Sequence, residues 1–261
     1  MNLDIYKDFE HIQFPSGERH LRLIGEPACS SYVLTYKSRC PDIMVLAMAV
    51  DCLRSQQWPA ISLRMPFFPY ARQDRRAVPG DALSVRVFAE FINRMDFESV
   101  ELCDPHSDVT TALVERAIVR NQCDIAWQAI KKHCSQETKI VAPDLGSTKK
   151  AELLSKITGH GLVQAHKVRD PATGTLSKFT VLSGTASGAD CLIVDDICDG
   201  GGTFLGLGAV LRERGAKRLG LYVTHGLFTK GVDILFDVFD YIITTDSVGG
   251  EFDSRIHVIG V

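Results

Sequence analysis

The stretch CLIVDDICDGGGT, Cys191–Thr203, decides the fold. An apolar run ends in Asp195-Asp196. Asp199 follows, then Gly200, Gly201 and Gly202, with Thr203 at the start of a helical pattern. Consecutive glycines let backbone N–H groups approach an anion closely. A helix N-terminus adds partial positive charge at the same place. The carboxylates repel a phosphate, but they accept hydrogen bonds from sugar hydroxyls or hold Mg²⁺. Strand, acids, glycines and helix together read as a cradle for a phosphorylated ribose. The plainer reading is a tight strand-to-helix turn capped by Asp199. Two adjacent acids at a strand end argue against it, since they cost stability without a partner. The run fits neither G-x-G-x-x-G nor G-x-x-x-x-G-K-[ST], which disfavours dinucleotide and P-loop folds.

The same strand, polar loop, helix order recurs along the chain and predicts an α/β protein with mainly parallel sheets. Strands are predicted at Leu21–Gly25, Tyr32–Tyr36, Ala60–Met65, Ser99–Cys103, Lys139–Ala142, Leu162–Ala165, Cys191–Asp195, Leu219–Thr224 and Tyr241–Thr244, with another at the end, Ile256–Val261. Helices are predicted over 43–56, 82–95, 109–118, 124–133, 148–157 and 203–214. Val85, Phe88, Ala89 and Ile92 form one helical stripe and belong to a core. Polar clusters follow three strands: Asp104–Ser107, Pro143–Ser147 and Asp195–Thr203. In open α/β sheets ligands bind at the carboxyl ends of strands. The pattern appears in both halves, so two similar lobes are predicted, 1–121 and 122–261, with a boundary near Arg120–Asp124 and the site between them. Arg169–Gly188, rich in Gly, Ser and Thr, reads as a mobile loop and hairpin.

Composition narrows the function. The 261 residues are 45% hydrophobic and 23% charged, which excludes disorder and collagen-like structure. Lys plus Arg is 29 against 32 for Asp plus Glu. A net charge of −3 provides no global basic field for nucleic acid or an anionic membrane. The eight cysteines form no C-x-x-C pair, so zinc spacing is absent, and Cys103 and Cys191 read as buried thiols. The N-terminal MNLDIYKDFEHIQF has acids where a signal peptide needs a basic start, and no apolar run approaches a membrane span. A cytoplasmic, reduced protein is expected, with no nucleic-acid or membrane partner.

IVDDICDGGGT resembles the phosphoribosyl-pyrophosphate loop shared by type I phosphoribosyltransferases and ribose-phosphate pyrophosphokinases (PRPP synthetases). Further segments select the second family. PYARQDRR, Pro69–Arg76, resembles its ATP-binding segment, and GDALSVRVFAEFI, Gly80–Ile92, the helix after it. DPHS, Asp104–Ser107, is similar to a metal-binding D-x-H element. VAPDLGSTKKA, Val141–Ala151, resembles its VSPD segment, and AHKVRD, Ala165–Asp170, the start of its catalytic loop. GAKRLGLYVTHGLF, Gly215–Phe228, resembles the run ending in T-H-G-x-F, and FPSGE, Phe14–Glu18, matches F-x-(D/N)-G-E more weakly. Each motif alone is moderate evidence. The ordered set is highly specific.

The resemblance implies two phosphoribosyltransferase-like lobes and transfer of the β,γ-pyrophosphoryl group of Mg-ATP to the anomeric hydroxyl of ribose 5-phosphate. In-line phosphoryl transfer needs positioning, metal ions and cations more than a covalent nucleophile. Lys167 and Arg169 are the implied catalytic cations; i and i+2 of an extended segment point the same way. Alone, they would read as a solvated basic patch. His106 and Asp144 are the implied ligands of the Mg²⁺ on ATP; a lone His after a strand is otherwise more often structural. Arg72, Gln73, Asp74 and Arg75 would hold ATP, with Phe14 and Glu18 contributed to the base by a neighbouring subunit, which implies at least a dimer. Asp195 and Asp196 would bind the ribose 2- and 3-hydroxyls, and Asp199 through Thr203 would wrap the 5-phosphate. His225 reads as structural or at the site edge, and the remaining histidines as surface or packing residues.

The sequence departs from the pattern at two places. The family loop usually reads D-T-x-G-T, and here Gly200 replaces the threonine and Gly201 a small side chain. That removes a hydroxyl donor and gains room, so the sequence also admits an acceptor carrying more than a 5-phosphate, such as ADP-ribose. Ser16 stands where the family has Asp or Asn. A phosphoribosyltransferase and a non-catalytic regulatory homologue compete with the kinase reading. The Arg72–Arg75 segment argues against the transferase. Retention of Lys167, Arg169, His106, Asp144, Asp195 and Asp196 argues against the regulatory homologue.

Overall fold

The structure is a computed structural model. It describes residues 1–25, 29–55, 59–169 and 176–261; the side chains of 167–169 and 176–178 lie outside that description. The chain divides into two compact units, Met1–Arg120 with Ser247–Gly249, and Asn121–Asp246 with Gly250–Val261.

The first unit runs β1 (Asn2–Asp4), β2 (Phe9–Gln13), β3 (Arg19–Leu23), β4 (Ser31–Thr35), α1 (Ile43–Arg54), β5 (Ala60–Arg64), α2 (Ser84–Arg94), β6 (Val100–Cys103), α3 (Asp108–Leu113) and β7 (Ala117–Arg120). Five strands form a sheet in the order β1-β4-β5-β6-β7. Every pairing in it is parallel. β2 and β3 make a separate antiparallel hairpin. The α2 stripe Val85, Phe88, Ala89 and Ile92 is buried in the single core of this unit. Asp42 caps α1 by accepting from the Met44 and Val45 N–H groups, which satisfies orphan donors of the first turn.

The second unit continues α4 (Gln122–His133), β8 (Lys139–Ala142), α5 (Thr148–Thr158), β9 (Gly161–Arg169), β10 (Leu176–Ser183), β11 (Cys191–Cys198), α6 (Gly202–Glu213), β12 (Leu219–Gly226), α7 (Asp233–Phe236), β13 (Tyr241–Thr245) and β14 (Ile256–Ile259). Its seven-stranded sheet has the order β10-β9-β8-β11-β12-β13-β14, with only the β9–β10 pair antiparallel.

Both faces of this sheet are covered. Val141, Ile193, Leu221 and Ile242 pack on one side with Phe204, Leu207 and Leu211 of α6. Their alternates Ile140, Leu192, Tyr222 and Ile243 pack on the other with α4 and α5. A strand buried on both faces has no polar side to show, which is why these strands are continuous apolar runs. Burying a leucine-sized side chain this way is worth about 1.5–3 kcal/mol.

Two expectations are corrected. The helix over 109–118 stops at Leu113, because Val114 is extended and Ala117–Arg120 forms β7 against β6. The N-terminal half contains the β2–β3 hairpin, of which only the second strand is predicted. The hairpin expected within Arg169–Gly188 is present, Leu176–Ser183 pairing antiparallel with β9, while 170–175, where the loop is expected, fall outside the described residues. No helix among the described residues is long and apolar enough to cross a membrane. None of the eight cysteines is in a disulfide.

Candidate active site

β11 carries the carboxylates. Successive residues of a strand face opposite sides, so Asp195 shares the side of Ile193 and Asp196 that of Val194. The Asp196 N–H donates to Asp195 Oδ1 at 3.0 Å, and the Ile197 N–H donates to Asp196 Oδ1 at 2.8 Å. Dense packing around Asp195 comes first, then the negative charges of Asp196 and Asp144. Together they push the Asp195 carboxyl well above the usual carboxylate range. Asp144 lies two residues beyond β8, the neighbour of β11, so the two strand ends bring these acids together. Asp144 is itself held: Ser147 N–H donates to its Oδ1 at 3.1 Å, and Ser147 Oγ donates to its carbonyl at 2.9 Å.

The glycine run makes the turn into α6. Gly201 is the N-cap residue, at φ +76°, and no side chain caps the helix. The turn therefore needs a residue without a Cβ penalty in the left-handed region. Asp199 is not the cap: its Oδ1 accepts from Thr229 Oγ1 at 2.6 Å. The first N–H groups of an α-helix have no intrahelical partner, and the helix dipole favours an anion at that end. A side-chain carbon on Gly200 would lie 3.3 Å from Lys230 Cε, so the room gained at this glycine is taken by a lysine stem.

The backbone of Lys167 and Arg169 continues β9, opposite Phe179 and Leu176 of β10. Both side chains lie outside the described residues. Thr224 and His225, on β12, are fully buried, which fits a structural histidine.

The remaining candidates belong to the first unit. Phe14 and Glu18 close the β2–β3 hairpin. The Phe14 N–H donates to the Glu18 carbonyl at 2.9 Å, and both side chains are exposed. Ser16 Oγ donates to Glu18 Oε2 at 2.9 Å, so the serine holds the glutamate. Arg72, Gln73, Asp74 and Arg75 lie in the irregular segment between β5 and α2, with both arginines exposed. Tyr70 enters that segment at φ +60°. His106 is exposed in the turn between β6 and α3. β5 and β6 are parallel neighbours, so the segment carrying Arg72–Arg75 and the turn carrying His106 leave one edge of one sheet.

Sequence reasoning missed two residues. Asp104, read as a turn residue, is buried at φ +41°. A non-glycine residue in that region is a strained position of the kind found at functional sites. Lys230 is the other; its only sequence signal is a cation soon after Thr224-His225-Gly226.

Among the described residues no group of three or more His, Cys, Asp and Glu side chains is arranged to hold a metal. Asp144 offers a carboxylate oxygen of the kind Mg²⁺ takes, and that ion uses few protein ligands and fills its shell with water and phosphate.

Residues 7–95 match the N-terminal domain of ribose phosphate pyrophosphokinase, and residues 109–254 match the phosphoribosyl transferase domain. The ribose-phosphate pyrophosphokinase of Pasteurella multocida is 29% identical over 248 residues, covering 90% of this chain and 77% of its own. That of Vibrio cholerae is 30% identical over 247 residues, covering the same shares. That of Ureaplasma parvum is 34% identical over 191 residues, covering 71% and 57%. The crystal structure of phosphoribosylpyrophosphate synthetase from Mycobacterium smegmatis has the same fold. Its TM-score is 0.82 over 97% of this chain and 85% of its own, at 23% identity.

Proposed function

The chain belongs to the ribose-phosphate pyrophosphokinase family, and from that membership we propose that it transfers the β,γ-pyrophosphoryl group of Mg-ATP to ribose 5-phosphate. The anomeric oxygen attacks the β-phosphorus, and the bond from that phosphorus to the α,β-bridging oxygen breaks. AMP leaves with the bridging oxygen, the anomeric proton is released, and PRPP is formed.

One observation carries the reading. Paired carboxylates lie in the second half of β11, which runs to Cys198, and three residues later comes a left-handed glycine, Gly201, at a helix N-terminus that no side chain caps. Asp195 and Asp196 accept hydrogen bonds from the ribose 2- and 3-hydroxyls. The amides of 199–203 take the 5-phosphate. Lys167 and Arg169 stabilise charge developing on the transferred group, where positioned cations act most strongly. Arg72, Gln73, Asp74 and Arg75 hold the nucleotide. Phe14 and Glu18 reach the adenine of a neighbouring subunit, so the working form is at least a dimer. By the resemblance, His106 and Asp144 would be the Mg²⁺ ligands, and the ion would neutralise phosphate charge when bound.

The test is AMP release from Mg-ATP with ribose 5-phosphate and, separately, ADP-ribose, with product masses recorded. AMP and a mass corresponding to PRPP with ribose 5-phosphate alone support the reading. Product from ADP-ribose alone assigns the larger acceptor, and AMP from neither overturns pyrophosphoryl transfer.

A further inference from the structure

The segment after β12 lies against the glycine run. A side-chain carbon on Gly200 would sit 3.3 Å from Lys230 Cε, 3.4 Å from its Cδ and 3.6 Å from its Cγ. The lysine stem therefore runs along the Gly200 backbone at van der Waals range. Its Cα is well anchored. The N–H groups of Leu227 and Phe228 both donate to the Cys198 carbonyl, at 2.8 and 3.1 Å. The Thr229 N–H donates to the Asp199 carbonyl at 3.1 Å, and Thr229 Oγ1 donates to Asp199 Oδ1 at 2.6 Å. Phe228 sits at φ +46°, a conformation a bulky residue adopts only where its surroundings impose it. Residues 227–229 are thus fastened to Cys198 and Asp199, which lead into the glycine run. Lys230 is exposed, and among the described residues no ion pair takes its Nζ.

We infer that Lys230 is a further sugar-phosphate-binding residue, whose ammonium donates to the anion held by the loop 199–203. The inference rests on reading that loop as the sugar-phosphate site. Gly200 and Lys230 are complementary. A threonine at 200 would add two atoms beyond a Cβ already at contact distance from the lysine stem. The hydroxyl of the D-T-x-G-T pattern and the stem of Lys230 compete for one space. Here the hydroxyl is lost and the lysine stem fills its place. Charge gives the exchange a purpose. Asp195, Asp196 and Asp199 stand within five residues of one another, and a positive charge nearby offsets their repulsion of a phosphate dianion. An ammonium on a flexible stem supplies that charge without fixing a directional fork.

The experiment is calorimetric binding of ribose 5-phosphate and of inorganic phosphate to the full chain, for the parent protein, K230M, K230R and K230M/G200T, with steady-state kinetics alongside. K230M is expected to weaken ribose 5-phosphate binding about tenfold or more, the usual effect of losing a hydrogen bond to a charged group. The loss falls on KM for ribose 5-phosphate and not on KM for ATP. Affinity falls less steeply with added KCl in K230M than in the parent, a response that a merely structural lysine would not alter. K230R retains most of the affinity, and G200T restores part of it in the K230M background. Parent-like affinity in K230M overturns the role of Lys230 while leaving the loop reading intact. A parent protein that binds neither ribose 5-phosphate nor phosphate overturns the loop reading, and the role of Lys230 with it.

Discussion

Replacing Gly201 with alanine tests the left-handed turn on which the phosphate loop depends. Gly201 is at φ +76°, ψ −7°. An L-residue with a Cβ costs about 1–2 kcal/mol in that region. The new Cβ would also lie 2.9 Å from Leu235 Cδ2. Leu235 is 1% exposed, so its side chain can yield only by leaving its rotamer, at roughly 0.5–1.5 kcal/mol. The expected destabilisation is about 2–3 kcal/mol, or a Tm lower by roughly 5–10 °C in a chain of this size. Gly202 is the control. A Cβ there meets nothing within 4 Å, and Gly202 is not among the positive-φ glycines. Gly202→Ala should therefore be neutral or stabilising by up to about 1 kcal/mol. Urea titration and thermal melting of both variants provide the comparison. A Gly201→Ala/Leu235→Ala double mutant isolates the contact, since the alanine at 201 should cost about 1 kcal/mol less once the leucine is shortened. Gly201→Ala should also raise KM for ribose 5-phosphate. Two results would refute the reasoning: Gly201→Ala within about 0.5 kcal/mol of the parent, or Gly202→Ala equally destabilising.

Three further outcomes are expected. Asp195 holds its proton to higher pH in the folded chain than in the unfolded one, so the stability that comes with protonation is full below about pH 4 and is lost as pH rises through the folded value. Asp195→Asn should then be more stable than the parent at pH 7 in Mg²⁺-free buffer, lose that advantage towards pH 4, and form no PRPP; melting curves across pH decide, and a less stable variant at pH 7 contradicts the account. Hydrogen bonds from the Arg255 side chain and then its backbone N–H hold the Asp253 carboxyl down at about 2, so the stability it contributes is present above the unfolded value of about 4 and is lost between there and about pH 2. Arg255→Gln should flatten the acid limb of Tm against pH over that window by a small amount, because the pair is at the surface, and curves parallel to the parent's would contradict it. Lys167→Ala and Arg169→Ala should each lower kcat about 10²–10³-fold while leaving calorimetric ribose 5-phosphate binding intact, and loss of sugar binding instead would reassign them to the sugar.

The second unit was the more legible in sequence because its central sheet is buried on both faces. Its strands are unbroken apolar runs, and the prediction at Lys139–Ala142 coincides with β8. The first unit hides more. Each strand of the β2–β3 hairpin contributes a single fully buried residue, Phe9 and Leu21, among exposed polar ones, so neither shows a clean alternation. β7 is four residues long and follows α3 after three, and only its pairing with β6 separates it from a helix tail. Arg116, at φ +55°, makes the reversal that the helical reading of 109–118 passes over. At the site, the carboxylates and glycines of 195–203 are legible because they are consecutive and their chemistry depends on local geometry. Lys230 is not, since thirty positions separate it from Gly200. What joins them is the parallel register of β11 and β12, Ile197 opposite His225 and Cys198 opposite Gly226, which delivers the residues after each strand to one edge of the sheet. A lone glycine where threonine is usual suggests an enlarged pocket. The structure shows that glycine beside a lysine stem, which occupies the space a threonine side chain would need.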